Sequence, residues 1–188
     1  MQAVVLTEYR RLELQEVPVP EPGIGEVRVA VRAVGICGSD VHGYDGSSGR
    51  RIPPLIMGHE AAGEIDAVGP EADAWKQGDR VTFDSTVYRL DDWYTRRGAY
   101  NLSDGREVLG VSTPEFKRDG CFAEFVVVPK HILYRVPDEV SLEHAALVEP
   151  YGVAMHAARL GEVEPGWSAV VVGCGRIGLC LIQILSAA

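Results

Sequence analysis

The stretch EVRVAVRAVG (26–35) alternates Val27, Val29 and Val31 with Arg28, Ala30 and Arg32. This period of two is typical of a strand with one buried face. Turn signals such as PEPGIGE (20–26) separate it from other short β-rich runs, namely AVVLT (3–7), AAGEIDAVG (61–69), DRVTFDSTV (79–87) and FAEFVVVP (122–129). Many short strands with Gly/Pro turns predict a β-barrel or a sandwich over the first 150 residues.

The pattern changes after about residue 138. Ser141 is placed to cap a helix through LEHAALV (142–148). Glu149-Pro150 is predicted to interrupt this helix, because proline lacks an N–H and disfavours helix at the residue before it. A second helix, YGVAMHAARL (151–160), is predicted to end at Gly161.

The segment SAVVVGCGRIG (168–178) combines a continuous apolar run with a glycine-rich turn. SAVVV predicts a strand buried on both faces, and LCLIQIL (179–185) predicts a helix. Between them stands G-x-G-x-x-G, in which glycines allow a tight turn and close approach to a dinucleotide diphosphate. The predicted cofactor-binding residues are Gly173, Gly175, Arg176, Ile177 and Gly178. A glycine-rich turn without function is the alternative, and the acidic residue that would choose between NAD and NADP falls beyond Ala188.

Composition excludes several classes of protein. The hydrophobic fraction of 46% and the charged fraction of 24% are those of a folded globular chain. Eighteen basic against 27 acidic residues leave a net charge of −9, which argues against nucleic acid as a partner. No apolar run approaches the ~18 residues of a membrane span, and no secretory signal is visible, so we expect no membrane partner. Four scattered cysteines favour a reducing, cytoplasmic compartment over a disulfide scaffold.

Chemically versatile side chains concentrate in two further segments. VGICGSDVHGYDG (34–46) contains Cys37, Ser39, Asp40 and His42, and IMGHEAAGEI (56–65) places His59 beside Glu60. Cysteine and histidine are zinc ligands. Twenty-one residues separate Cys37 from His59, however, which is no local ligand spacing. Cys37 as a small buried hydrophobe, Ser39 as a helix cap and His59 as a core histidine therefore remain open alternatives.

These segments, taken in order, resemble one known family. GICGSDVHGYDG, PLIMGHEAAGEI, GDRVTFDSTVY, ALVEP and VVVGCGRIG are similar to the zinc-dependent medium-chain alcohol dehydrogenases, in the branch of the sorbitol (polyol) and threonine dehydrogenases. The resemblance implies a mixed α/β fold. A GroES-like β-barrel catalytic domain would occupy 1–150, and a linking helix with the incomplete start of a Rossmann domain would occupy 151–188. It also implies a homo-oligomer for the full-length form.

The resemblance further implies roles for individual residues. Cys37, His59 and Glu149 would hold one catalytic zinc, with Glu60 as a partner of a ligand or as an alternative ligand. Ser39 would touch the substrate oxygen and His42 would pass the proton to solvent. Asp40 would buttress a ligand histidine. The implied reaction transfers hydride between a secondary alcohol (a polyol, sugar or hydroxy-amino acid) and NAD or NADP.

One lobe departs from the family pattern. Many relatives bind a structural zinc there through C-x₂-C-x₂-C-x₇-C, but the matching positions are Arg89, Asp92, Thr95 and Ser103. We therefore expect no structural zinc. The lobe would instead be held by aromatic packing or by paired charges, formed respectively by Trp93, Tyr94 and Tyr100 and by Asp91 and Asp92 facing Arg96 and Arg97.

The predicted function is thus that of a zinc-dependent NAD(P) dehydrogenase whose chain, cut short in the nucleotide-binding domain, is by itself inactive. The alternatives are a zinc-free reductase of the same superfamily and a non-catalytic binding module. Loop residues such as Tyr44 and Phe116 would contact the substrate but do not encode its identity.

Overall fold

The computed structural model describes residues 1–115, 117–164 and 166–187. Phe116, predicted above to contact substrate, lies outside this described part. The chain divides into two compact units, 1–146 and 147–188. A boundary at residue 150 stays a prediction.

The first unit is mixed, with a predominance of strands. Over its described residues the strands are β1 (Gln2–Glu8), β2 (Arg11–Glu16), β3 (Glu26–Gly35), β4 (Leu55–Ile56), β5 (Glu60–Val68), β6 (Arg80–Phe83), β7 (Thr86–Val87), β8 (Glu107–Leu109), β9 (Lys117–Arg118), β10 (Phe125–Pro129) and β11 (Leu133–Arg135). The α-helices are α1 (Gly38–Tyr44) and α2 (Leu142–Ala145). Short 3₁₀ turns occupy Thr95–Arg97, Tyr100–Leu102 and Lys130–Ile132.

A five-stranded antiparallel sheet in the order β10-β3-β5-β6-β11 forms the centre of this unit. β3 spans the residues that the alternation predicts, and Val27 and Val29 are fully buried. Arg28, on the opposite face, pairs with Asp66 on the neighbouring strand at 2.7 Å. The core beneath the sheet is mostly aliphatic, with Ile65, Val81, Leu109, Val128 and Ile132 among its members.

Two smaller sheets flank the central one, in the orders β2-β1-β4 and β7-β8-β9. The N-terminal segment contains more than the single β-rich run that the sequence pattern indicates at 3–7. It is a hairpin, in which β2 pairs antiparallel with β1 and Arg10 turns the chain with a φ of 66°. Arginine carries no turn signal, so the sequence pattern does not reveal this turn.

The helices around the unit boundary agree largely with expectation. Ser141 caps α2 by accepting the His144 N–H at 3.2 Å, as predicted, although α2 ends at Ala145 rather than Val148. In the second unit α3 (Val148–Leu160) ends before Gly161. Pro150 does not interrupt a helix. It lies in the first turn of α3, where its missing N–H would have no intrahelical partner.

The apolar segment before the glycine turn is not a strand in the structure. No strand is assigned among residues 166–175, and Val170 and Val172 are 90% and 96% exposed. A strand requires a hydrogen-bonded neighbour, and the described part of the second unit offers none. The helix that follows, α4 (Arg176–Ala187), begins three residues earlier than LCLIQIL predicts and packs against α3.

No helix in the described ranges is both long and apolar enough to cross a membrane.

Candidate metal and nucleotide sites

Three potential metal ligands meet at one edge of the central sheet. Cys37 is the N-cap of α1, His59 directly precedes β5, and Glu60 is the first residue of that strand. One ligand atom from each lies within 4.8 Å of the others. This is the single group of three or more His, Cys, Asp or Glu side chains in the described residues that could hold a metal ion.

Backbone pairing explains why these distant residues converge. β3 leads into Cys37 and pairs antiparallel with β5, so that Gly35 stands opposite Glu60. A Cβ at position 35 would lie 2.3 Å from a Glu60 carboxylate oxygen. Glycine is therefore required for the fully buried Glu60 side chain to lie across the neighbouring strand.

Asp40 supports both sides of the cluster. Its Oδ2 accepts the Cys37 backbone N–H at 2.9 Å, and its Oδ1 lies 3.6 Å from His59 Nδ1. Burial opposes ionisation of this carboxyl. The neighbouring His59, the Cys37 amide and the Arg51 charge nevertheless hold the pKa of Asp40 below its ordinary value. An ionised carboxylate beside the ring orients a histidine for metal binding through its other nitrogen.

Ser39 and His42 lie three residues apart on α1, and therefore on neighbouring positions of one helix face. Ser39 is not a helix cap, since the cap position belongs to Cys37. His42 is exposed, and its Nδ1 lies 3.1 Å from Ser47 Oγ.

Arg51 is the residue of this region that sequence reasoning missed. It is only 6% exposed, and its Nη2 donates to Ser39 Oγ at 3.0 Å. In the sequence it belongs to a basic, glycine-flanked loop, GRRIPP (49–54), which is typical of a solvated turn. Burial lowers the pKa of its guanidinium, while the charge of Asp40 acts in the opposite direction.

The lobe without thiols is held by hydrogen bonds. Asp92 accepts the backbone N–H groups of Tyr94 at 2.9 Å, Thr95 at 3.2 Å and Asp104 at 3.3 Å. Buried Ser103 accepts the Arg89 N–H at 3.1 Å. All four positions that would bear cysteines therefore take part in a polar network that orders the backbone. Asp92 and Ser103 accept through their side chains, and Arg89 and Thr95 donate through their backbone N–H groups.

Aromatic and charged contacts complete the lobe. Trp93 and Tyr94 form an edge-on pair with ring centroids 4.9 Å apart. Arg97 stacks on the Trp93 ring at 3.8 Å, and Asp91 pairs with Arg89 at 3.2 Å. The predicted aromatic packing is present for Trp93 and Tyr94, whereas Tyr100 packs on Tyr88, with ring centroids 4.8 Å apart. The charge contacts differ from the expected pairing of Asp91 and Asp92 with Arg96 and Arg97.

In the second unit the glycine turn requires glycine at two positions. Gly173 adopts a φ of 101°, a conformation that favours glycine. A Cβ on Gly178 would lie 1.9 Å from the Gly173 carbonyl oxygen, so the turn fits against α4 only with glycine there. Gly175 faces open space, and Arg176 and Ile177 begin the helix. A helix that begins directly after a glycine turn is a common place for proteins to bind an anionic group.

Comparison with known proteins identifies the family. Residues 23–138 match the model of the alcohol dehydrogenase GroES-like domain. A sorbitol dehydrogenase of Bacillus subtilis is 37% identical over 190 residues, covering 100% of this chain and 53% of that protein. An L-threonine 3-dehydrogenase of Anaeromyxobacter is 41% identical over 186 residues, covering 95% and 52%.

A solved structure supports the same relationship. The zinc-binding dehydrogenase of Sinorhizobium meliloti, bound to NADP, superposes with a TM-score of 0.89 at 30% identity, covering 100% of this chain and 53% of that one. The chain belongs to the zinc-dependent medium-chain alcohol dehydrogenases, in the sorbitol and threonine dehydrogenase branch. The GroES-like fold expected from the sequence is confirmed. The chain spans about half the length of the curated relatives it matches.

Proposed function

We propose that this chain is the zinc-binding catalytic portion of an oxidoreductase that transfers hydride between a secondary alcohol and NAD or NADP. The observation that carries the proposal is the meeting of Cys37, His59 and Glu60 within 4.8 Å. A thiolate, an imidazole and a carboxylate form a donor set that suits zinc and leaves a position for substrate.

The proposed zinc ligands are Cys37 and His59 together with Glu149, a carboxylate in the first turn of α3. Glu60 serves as an alternative ligand or as a partner of one. When bound, zinc would act as a Lewis acid on the alcohol oxygen and lower its pKa. In this proposal the chain holds a single zinc, with none in the lobe of Arg89, Asp92, Thr95 and Ser103.

Ser39 and His42 are proposed to carry the proton away from the alcohol. A serine hydroxyl both accepts and donates hydrogen bonds, and histidine changes charge near neutral pH. Their spacing on α1 puts a half-buried serine and an exposed histidine at neighbouring positions of one helix face. Asp40 keeps His59 oriented throughout.

The substrate class we propose is a polyol, a sugar or a hydroxy-amino acid, supported by relatives named as sorbitol and threonine dehydrogenases. The nicotinamide nucleotide would bind through its diphosphate at Gly173, Gly175, Arg176, Ile177 and Gly178. The four free cysteines support a reducing, cytoplasmic setting. The full-length form is proposed to be a homo-oligomer.

Zinc stoichiometry tests the proposal directly. After reconstitution and removal of loosely bound metal, we expect about one zinc per chain for the parent and almost none for Cys37→Ser. Cys174→Ser is the matched control, because it removes an exposed thiol outside the cluster. Glu149→Gln should weaken zinc binding without abolishing the thiolate contact. Equal zinc content in the parent and Cys37→Ser would overturn the assignment.

Two measurements separate the alternatives. A parent chain that retains no zinc in the metal analysis would favour the zinc-free reductase. Cofactor titration of this 188-residue chain against a full-length version tests the non-catalytic module, which predicts that neither binds the nucleotide. With a panel of polyols and either NAD or NADP, we expect no turnover by this 188-residue chain. Segment 168–172 leads into the proposed cofactor turn but pairs with no strand in the described residues. The nicotinamide would therefore not be held in position for hydride transfer.

A further inference from the structure

Arg51 is a buried cation to which the proposed function gives no role. Its stem packs on α1 at Gly43, where an added Cβ would lie 2.7 Å from Arg51 Cδ. Glycine at this position therefore creates the space through which the side chain reaches the interior side of the helix. Burying an arginine is costly unless its charge and donors find partners, so its surroundings indicate what it does.

A single nitrogen of the guanidinium lies beside both halves of the candidate site. Arg51 Nη2 donates to Ser39 Oγ at 3.0 Å and lies 3.9 Å from Asp40 Oδ1. The same Asp40 oxygen lies 3.6 Å from His59 Nδ1. Arg51 thus connects the hydroxyl proposed to meet the substrate with the carboxylate that orients a proposed metal ligand.

The hydrogen bond restricts what the Ser39 hydroxyl can do. A serine hydroxyl has one proton to donate and two lone pairs that accept. Because the Arg51 N–H occupies one lone pair, one acceptor position and one donor position remain. A group that passes a single proton along needs one of each. Without Arg51, a water molecule would be free to donate to the lone pair of Ser39 Oγ that Arg51 occupies.

The positive charge also acts on the energetics of proton removal. A cation next to Ser39 Oγ stabilises negative charge that develops on this oxygen or on a substrate oxygen that is hydrogen-bonded to it. Arginine suits the position because its guanidinium stays protonated throughout the physiological range.

We infer that Arg51 is a positioning residue that fixes Ser39 as a one-proton donor and acceptor toward the alcohol oxygen. This inference rests on the proposed function, since it presupposes that an alcohol binds beside Ser39. It goes beyond that function by assigning a second residue, outside the motif of α1, to control of the substrate hydroxyl.

The test uses the chain loaded with cobalt(II) and 2,3-butanediol as a probe. Cobalt replaces zinc in such donor sets and gives visible absorption bands that report both metal binding and a change in its surroundings. The variants are Arg51→Met, which removes the charge, and Arg51→Lys, which keeps the charge but loses the planar donor geometry. Arg50→Met is the matched control, because Arg50 is exposed.

We expect Arg51→Met to weaken diol binding roughly tenfold, the size of a lost hydrogen bond to a charged group, with cobalt affinity unchanged. Arg51→Lys should have a smaller effect and Arg50→Met none. In a Ser39→Ala background, neither substitution at Arg51 should weaken the diol further, because the interaction would already be missing. If Arg51→Met fails to fold, Arg51→Lys measured in both backgrounds decides.

Two results would overturn the inference alone. One is a parent-like diol affinity in both Arg51 variants. The other is an equal loss of diol and cobalt binding that persists without Ser39, which would mark a merely structural residue. A parent chain that binds no cobalt through Cys37 would instead overturn the proposed function, and with it this inference.

Discussion

The segment around Cys37 and the lobe that contains Arg89, Asp92, Thr95 and Ser103 both belong to the first unit, and polar side chains organise both. Around Cys37 the polar groups are a thiol, an imidazole and one carboxylate, gathered within reach of one ion. In the lobe, the Asp92 carboxylate and the Ser103 hydroxyl accept backbone N–H groups instead. The difference indicates that polar side chains serve two purposes in one domain: they bring potential metal ligands together around Cys37, and they bind backbone N–H groups in the lobe.

Restoring four thiols would break this contrast most strongly. The combined variant Arg89→Cys, Asp92→Cys, Thr95→Cys and Ser103→Cys should bind a second zinc, because four cysteines at this spacing form a structural site. Metal analysis and the cobalt thiolate absorption band measure the gain. The matched control replaces Asp92 and Ser103 alone, which supplies too few thiols for a closed site. An unchanged zinc content in the fourfold variant would contradict the prediction.

A methyl group added at Gly35 should weaken zinc binding by displacing the Glu60 side chain. Gly35→Ala would place a Cβ 2.3 Å from Glu60 Oε2 and so displace a carboxylate beside Cys37 and His59. Losing a group that supports metal ligands typically costs about 10–100-fold in affinity, which competition with a chelator measures. Gly38→Ala is the control, since no atom lies within 4 Å of its added Cβ. Equal zinc affinity in both variants would show that Glu60 takes no part.

Asp92→Ala should loosen the lobe while leaving the cluster intact. The backbone N–H groups of Tyr94, Thr95 and Asp104 would lose their shared acceptor. Hydrogen exchange at these amides should accelerate roughly tenfold, as for a local opening made easier by a lost hydrogen bond. Asp91→Ala removes an exposed carboxylate that pairs with Arg89 and should leave the exchange rates alone. Unchanged exchange in Asp92→Ala would refute the role of Asp92.

The two regions should also separate on acidification. Burial tends to raise the pKa of Asp92, yet its backbone hydrogen bonds hold that pKa below the ordinary value. A lowered folded pKa gives stability that is present above the unfolded value of about 3.9 and is lost as pH falls through the folded value. Metal binding requires deprotonated ligands, so acid weakens it. On acidification we expect zinc to be released at a higher pH than the pH at which the lobe opens. Zinc release and lobe opening, followed by metal analysis and amide exchange, should therefore occur in that order.

Strand patterns predicted the sheet well where alternation and turn residues agree. β3 follows the predicted range to the residue, because its valines alternate cleanly with arginine and alanine. β2 was missed although Leu12 and Leu14 also alternate with polar residues, because Arg10 makes a turn that no glycine or proline announces. The prediction of a strand at 168–172 is wrong for the opposite reason. The apolar pattern is clear, but a strand forms only when its backbone groups can pair with a neighbouring strand.

The candidate site was predictable to a similar degree. Cys37, His59 and Glu60 emerge from the family resemblance, and the structure brings these three together. Arg51 was missed because its burial depends on the space left at Gly43, eight residues earlier in the sequence, and this contact exists only once α1 is folded. The assignment of Glu149 to the zinc stays a prediction.

The candidate metal ligands lie on two elements of different stability. One is β5, which pairs with both β3 and β6, and the other is the short helix α1. His59 and Glu60 stand at the start of the middle strand of the central sheet, whose opening requires that the sheet itself come apart. Cys37 stands at the head of a helix of only seven residues. An ion bound by both elements would keep its contacts to His59 and Glu60 for longer than its contact to Cys37. The rate at which the short helix opens, rather than the much slower opening of the sheet, would therefore set the residence time of the ion.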